Sequence, residues 1–263
     1  MKNQPRVTAL YEGTFSVGTN KVFRRIDKKD PPDKGALKLS INPFLIQDEK
    51  RNILFDAGIG DLFGDDTSID TILDNLAEHS LSDYEITDIF ISHLHFDHMA
   101  GLANRKNGFW DLTFPEASVW VSEKGWNRLR KNIDNKNDDE INFFHFLDSK
   151  ADLRFLSEKE TPISNVRVEQ IGGHTKFHYA LYYENGDHKY FMAGDVMGTK
   201  GALNRVYKAK YDEDPDQSMK KREELQKLAY NEGYTIMTYH ETNSPLFKLT
   251  SYDDSKGYKI ENV

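Results

Sequence analysis

"SHLHFDHMAG", residues 92 to 101, brings His93, His95, Asp97 and His98 into one short stretch. Three of the chain's nine histidines fall there. The stretch overlaps the end of "TDIFIS" (87 to 92), an almost continuously apolar run that reads as a strand covered on both faces. The motif therefore begins where a buried strand ends, the kind of place where α/β active sites gather. His93, His95 and Asp97 are spaced two apart and share one side of an extended segment, while His98 points elsewhere. A chain that leaves a strand and turns into a helix can offer the first two side chains to one metal ion and the last two to its neighbour. The competing reading is a polar loop of uncoordinated histidines. Imidazole and carboxylate are the ligands zinc takes when thiolate is absent, which favours the metal.

Thiolate is indeed absent: the 263 residues include no cysteine, which excludes disulfides, cysteine-ligated metals and a cysteine nucleophile. The length suits one α/β domain, so a single domain over 1–263 is expected. Charged residues make up 30% and mean hydropathy is −0.71, yet sixteen Phe and thirteen Tyr remain to build a core. A net charge of −8 would repel a phosphate backbone, so nucleic acid is not the expected partner. The opening "MKNQPRVTALYEGTF" carries no apolar signal region, and no apolar run approaches a membrane span. A soluble, cytoplasmic protein is the expectation, with a dimer left open.

Strand-like and helix-like stretches alternate through the first half, as in α/β or layered α+β folds. "NPFLIQD" (42 to 48) and "RNILFDAG" (51 to 58) read as a hairpin. Ile69, Ile72, Leu73, Leu76 and Ala77 share one helical face, behind Thr67 and Ser68 as candidate caps. "ASVWVS" (117 to 122), "NVRVEQI" (165 to 171), "YALYYE" (179 to 184), "KYFMAG" (189 to 194) and "YTIMTY" (234 to 239) read as strands. Asp214, Pro215 and Gln217 are set as cap, first and third positions of a helix through about Tyr230. "RRIDKKDPPDKG" (24 to 35) and "NIDNKNDDE" (132 to 140) read as solvated loops, with active-site lids as the alternative.

Three of these strands end in further ligand-type residues. His174 follows the strand 165 to 171, Asp195 follows 189 to 194, and His240 ends 234 to 239. Each alone reads as well as a hydrogen-bonded structural histidine or a helix cap. With the opening motif they make a joint pattern of seven ligands, all at strand ends.

"SHLHFDH", "DAG" (56 to 58), "GGHT", "AGDV" and "YHE" occur in an order and spacing that resembles the metallo-β-lactamase superfamily. Within it the chain is most similar to the lactonase-like branch, the probable quorum-quenching lactonases of the YtnP type, over most of its length. The resemblance implies a four-layer αββα sandwich of the α+β class, with the metals at one edge between the sheets. It implies one divalent ion held by His93, His95 and His174, a second held by Asp97, His98 and His240, and Asp195 bridging them. Zinc is the first expectation, with manganese, iron or cobalt as alternatives. Asp56 matches the acid that buttresses the ligand loop, although a residue before glycine is otherwise a turn former. Two departures stand out. Lys176 and Phe177 lie between Thr175 and His178 where many relatives have Pro-Gly, and Gly198 stands where well-known acyl-homoserine lactonases carry a tyrosine. Tyr239 beside His240 is one substitute, against core packing as the plainer role.

The expected reaction is attack of a metal-bridging hydroxide on a lactone or ester carbonyl of a small molecule, acyl-homoserine lactones included, with Asp97 orienting the hydroxide and passing a proton to the leaving oxygen. Phosphotriester hydrolysis is a near variant; a mononuclear iron persulfide dioxygenase, a nuclease and a non-catalytic metal-binding module are the alternatives. "INFFHFLD" (141 to 148), with Trp110, Trp120 and Trp126, reads either as the wall of an acyl pocket or as core.

Overall fold

The computed structural model describes residues 4–106 and 108–263. They divide into two compact units, Met1–Phe155 and Leu156–Val263.

The first unit is built on a six-stranded sheet in the order Arg6–Ala9, Phe44–Gln47, Asn52–Phe55, Asp88–Phe90, Ser118–Ser122 and Asp152–Leu156, the division between units falling within the last. Phe44 pairs with Phe55 and Gln47 with Asn52, so the expected hairpin is present. Asp88–Phe90 runs parallel to both neighbours, Asn52–Phe55 and Ser118–Ser122, and every residue in it is buried. That double-sided cover explains its unbroken apolar reading. Helix Asp70–Glu78 buries Ile72 and Leu76 as its periodicity requires. Its cap differs from expectation: Ile69 occupies the N-cap, its N–H goes to Asp61, and the Ser68 hydroxyl accepts from Asp70 N at 3.1 Å.

The aromatic stretch 141 to 148 lies in helix Asp138–Lys150, where Phe143, Phe144 and Leu147 join Trp126 in the core. Trp120 stacks on Phe90 at 5.5 Å. Core packing thus accounts for these residues. "NIDNKNDDE" is a helix junction rather than a loop, because Asn137 and Glu140 form a reciprocal capping box. "RRIDKKDPPDKG" begins inside strand Phe23–Ile26 of a three-stranded sheet completed by Gly13–Val17 and Leu37–Ile41.

The second unit carries a seven-stranded sheet in sequence order: Lys159–Ile163, Val166–Gln170, Tyr179–Asn185, His188–Met192, Thr235–Met237, Leu246–Asp253 and Gly257–Asn262. Helix Pro215–Glu232 packs Leu225 and Ala229 into a cluster with Tyr182, Phe191, Ile236 and Phe247. Asp214 caps it through Gln217 N, Pro215 holds its first turn, and Gly233 closes it with φ 71°, a left-handed conformation that glycine adopts without penalty. Among the described residues, no helix is long and apolar enough to cross a membrane.

Candidate metal centre

In the first unit the sheet brings the motif its support. Asn52–Phe55 and Asp88–Phe90 are parallel neighbours, so Asp56 emerges beside Ser92, and Asp56 N donates to Phe90 O at 2.9 Å. The buried Asp56 carboxylate accepts from Ser92 N at 2.7 Å, from Ser92 Oγ at 2.8 Å and from His98 Nδ1 at 2.7 Å. Ser92 Oγ, having given its proton to Asp56, accepts from His93 Nδ1 at 3.1 Å. One acid thereby fixes the tautomers of two imidazoles, placing the lone pair of each on Nε2. Asp56 holds this place with φ 58°, which aspartate tolerates better than most residues.

After the strand the chain bends at Ser92 and His93, is extended at His95 and turns into the short helix Phe96–Met99. His93 Nε2 faces His95 Nδ1 at 3.0 Å, and Asp97 Oδ2 lies 3.8 Å from His98 Nε2. The two-apart spacing therefore stops at His95, and Asp97 shares the helical turn of His98. The loop after Asp56 docks backbone to backbone on that turn: Ala57 N donates to His98 O, and Gly101 N to Gly58 O. A Cβ on Gly101 would sit 1.9 Å from Ala57 O, and one on Gly60 would sit 2.6 Å from Ala100 C.

Glu12 supports the same loop from below. Its Oε2 accepts from Ile59 N at 3.1 Å and its Oε1, without a hydrogen-bond partner among the described residues, abuts Gly58. Burial pushes this carboxyl up to about 8, only partly offset by the Ile59 N–H and by Arg25.

In the second unit Val166–Gln170, His188–Met192 and Thr235–Met237 all run the same way, so their ends share one edge of the sheet. His174, Asp195 and His240 follow those ends. Asp195 Oδ2 lies 3.3 Å from His174 Nε2, and its Oδ1 lies 3.0 Å from His240 Nε2. His174 Nδ1 donates to Asp212 Oδ1 at 2.9 Å, which leaves lone-pair density on Nε2 facing a carboxylate oxygen. That pair rests easily only with a proton or a metal cation between. The edge of a tetrahedron around an ion with bonds of about 2.0–2.1 Å is about 3.3 Å, so such an ion fits. His178 is buried and its Nε2 donates to Ala193 O at 3.0 Å, steadying the turn that carries Asp195. Tyr239 is fully buried, as a core residue would be.

Each unit thus presents His and Asp side chains that could hold a metal ion. A family model described as the metallo-β-lactamase superfamily matches residues 37–240. The chain belongs to the metallo-β-lactamase superfamily. Solved structures agree on the metallo-β-lactamase fold. A probable metal-dependent hydrolase from Staphylococcus aureus matches with TM-score 0.78 at 23% identity, covering 100% of this chain and 99% of its own. AidC, a dizinc quorum-quenching lactonase solved with a product, matches with TM-score 0.77 at 20% identity, covering 100% and 96%. An N-acyl homoserine lactone hydrolase matches with TM-score 0.65 at 16% identity, covering 92% and 94%. Comparison with curated protein sequences gives no match.

As a metallo-β-lactamase superfamily member the chain has a fold that uses divalent metals, and the donors it offers are imidazole and carboxylate. Three supporting residues escape the sequence reading: Ser92, Asp212 and Glu12. Asp212 had a faint signal, an acid just before the capped helix. Asp212→Ala is expected to weaken metal affinity about 10- to 100-fold with the fold retained, because His174 loses the acceptor that orients it. Competition with a chelator measures this; unchanged affinity would assign Asp212 to loop structure alone.

Proposed function

We propose that the whole chain works as one dinuclear metal-dependent hydrolase that opens a lactone or cleaves an ester of a small molecule. The observation that carries this reading is Asp195, a carboxylate with each oxygen turned to a different imidazole. Such a group suits a bridge between two cations. In this reading His93, His95 and His174 hold one ion, Asp97, His98 and His240 hold the other, and Asp195 serves both. Zinc suits these donors, and manganese, iron or cobalt would also be accommodated. When bound, such a pair supplies a Lewis acid for the carbonyl and a water activated at neutral pH.

The chain's own residues do the rest. Asp56, Ser92 and Asp212 keep the imidazole lone pairs aimed inward. Asp97 orients the attacking water and passes a proton to the leaving oxygen. Two facts support one catalytic domain: the family match runs through both units, and lactonases share the fold. The net charge of −8 argues for a small-molecule substrate over nucleic acid, and a soluble, cytoplasmic enzyme is the setting we infer.

The test is metal content by plasma mass spectrometry, on protein purified without chelator or affinity metal. About two ions per chain are expected, followed by turnover in a pH-indicator screen of lactones, esters and phosphotriesters. A single tightly held iron would favour a persulfide dioxygenase. Absence of metal after reconstitution would overturn the proposal.

A further inference from the structure

Resting on that hydrolase reading, a second inference concerns a tyrosine at the edge of the Asp195 cluster. Tyr179, Tyr182, Tyr183 and Tyr239 of the same unit are at most 1% exposed, whereas Tyr211 is 53% exposed. Yet Tyr211 is not a stray surface residue. Its ring meets the His174 ring at 5.8 Å and 65°, and it lies close enough to Asp195 and Asp212 to feel both carboxylates. Exposure alone does not single it out, since Tyr252 is equally exposed while packed on Tyr258; its place against the His174 ring does. Tyr211 stays open to solvent beside a candidate ligand, where a substrate must arrive. At Gly198, by contrast, a side chain would begin 3.3 Å from His240 Cδ2, so the residue there leaves that imidazole uncovered.

The hydroxyl of Tyr211 is also held. It shares a hydrogen bond with the Tyr207 hydroxyl, and the Tyr207 ring lies 4.3 Å from the guanidinium of Arg222. Arg222 is 2% exposed; its Nη1 donates to Tyr207 O at 3.3 Å and its Nε to Val196 O at 2.9 Å. A guanidinium is costly to bury unless it makes such bonds. Here it ties the turn that bears Asp195 to the segment that bears Tyr207 and Tyr211.

We propose that Tyr211 is a catalytic residue whose phenol donates a hydrogen bond to the carbonyl oxygen of the ester or lactone as negative charge develops there. As Tyr211 turns its proton to the substrate, the Tyr207 hydroxyl donates back to the Tyr211 oxygen, and the chain of two bonds strengthens the outer one. No proton leaves the phenol; it stabilises charge and holds the carbonyl in place.

The test compares wild type, Tyr211→Phe and Tyr207→Phe on p-nitrophenyl butyrate and δ-valerolactone, with metal content measured on each sample. Phenylalanine keeps the ring contact with His174 and removes only the hydroxyl. For Tyr211→Phe, kcat is expected to fall about 10²-fold or more, with KM and metal content within about twofold of wild type. Tyr207→Phe should lose less. Hexanoate, whose carboxylate mimics the charged oxygen, should bind Tyr211→Phe about tenfold more weakly by calorimetry. A wild-type kcat in Tyr211→Phe, or one that falls only as metal is lost, would overturn the proposal and leave the hydrolase reading intact. A dimetallic wild type that cleaves neither substrate would defeat the hydrolase reading and this proposal with it.

Discussion

Asparagine at Asp97 is expected to lower kcat by about 10²- to 10⁴-fold, the range that a positioned acid–base group contributes. The side chain is 16% exposed in the first turn of the helix Phe96–Met99, with Oδ2 3.8 Å from His98 Nε2. It is thus both in reach of a candidate ligand and open enough to exchange a proton with an arriving substrate. Asparagine keeps the shape and one oxygen donor but loses the basic oxygen. Steady-state kinetics and metal analysis on the same sample separate the two roles. A dimetallic variant without turnover would support the proton-carrying role; a dimetallic variant with wild-type turnover would remove Asp97 from it. Loss of activity in step with loss of metal would leave it a ligand only.

The second large effect concerns stability and comes from Glu12. Its carboxyl is raised from the ordinary 4.5 to about 8 by burial. Between those values the unfolded chain has shed a proton that the folded chain keeps. Stability therefore falls as pH rises through that window and levels off above about 8. At about 1.4 kcal/mol per unit, the full difference amounts to no more than about 5 kcal/mol. Glu12→Gln keeps an oxygen for Ile59 N and cannot ionise. The variant should match wild type near pH 4.5 and exceed it progressively toward pH 8, as chemical denaturation at several pH values would measure. Equal slopes for the two proteins would mean that Glu12 is already charged in the fold.

The two predictions also mark where the sequence is legible. Asp97 is proposed from local signals that coincide: an unbroken apolar strand, then four ligand-type residues at its end. The helix Pro215–Glu232 was readable for a similar reason, since Asp214, Pro215 and Gln217 are adjacent in the chain. His174, Asp195 and His240 could be proposed because each follows a strand, and the parallel course of those strands is what brings them to one edge. Glu12 carries no such mark. It lies 47 residues from the amide it accepts from, and its neighbours "LYEGT" show nothing unusual. Its meaning comes from burial against a glycine, which only the folded chain defines. Asp212, 38 residues from His174, is hidden for the same reason. The strand Phe23–Ile26 was obscured by its arginines: Arg24 pairs with the exposed Asp33, and Arg25 reaches Glu12 O with its Nη2.

The economy of Asp56 has a consequence for how this chain can change. One carboxylate orders His98 directly and His93 through Ser92, so both imidazoles depend on a single residue held in an uncommon backbone conformation. Under the proposed assignment those imidazoles serve different ions. A lineage that drifts at this position cannot retune one ion while sparing the other; both are inherited together or lost together. Tyr211, half open to solvent and set against the His174 ring, is not among the groups that Asp56 orders, so loss of its phenol would cost turnover while the metal-holding framework stays as it is.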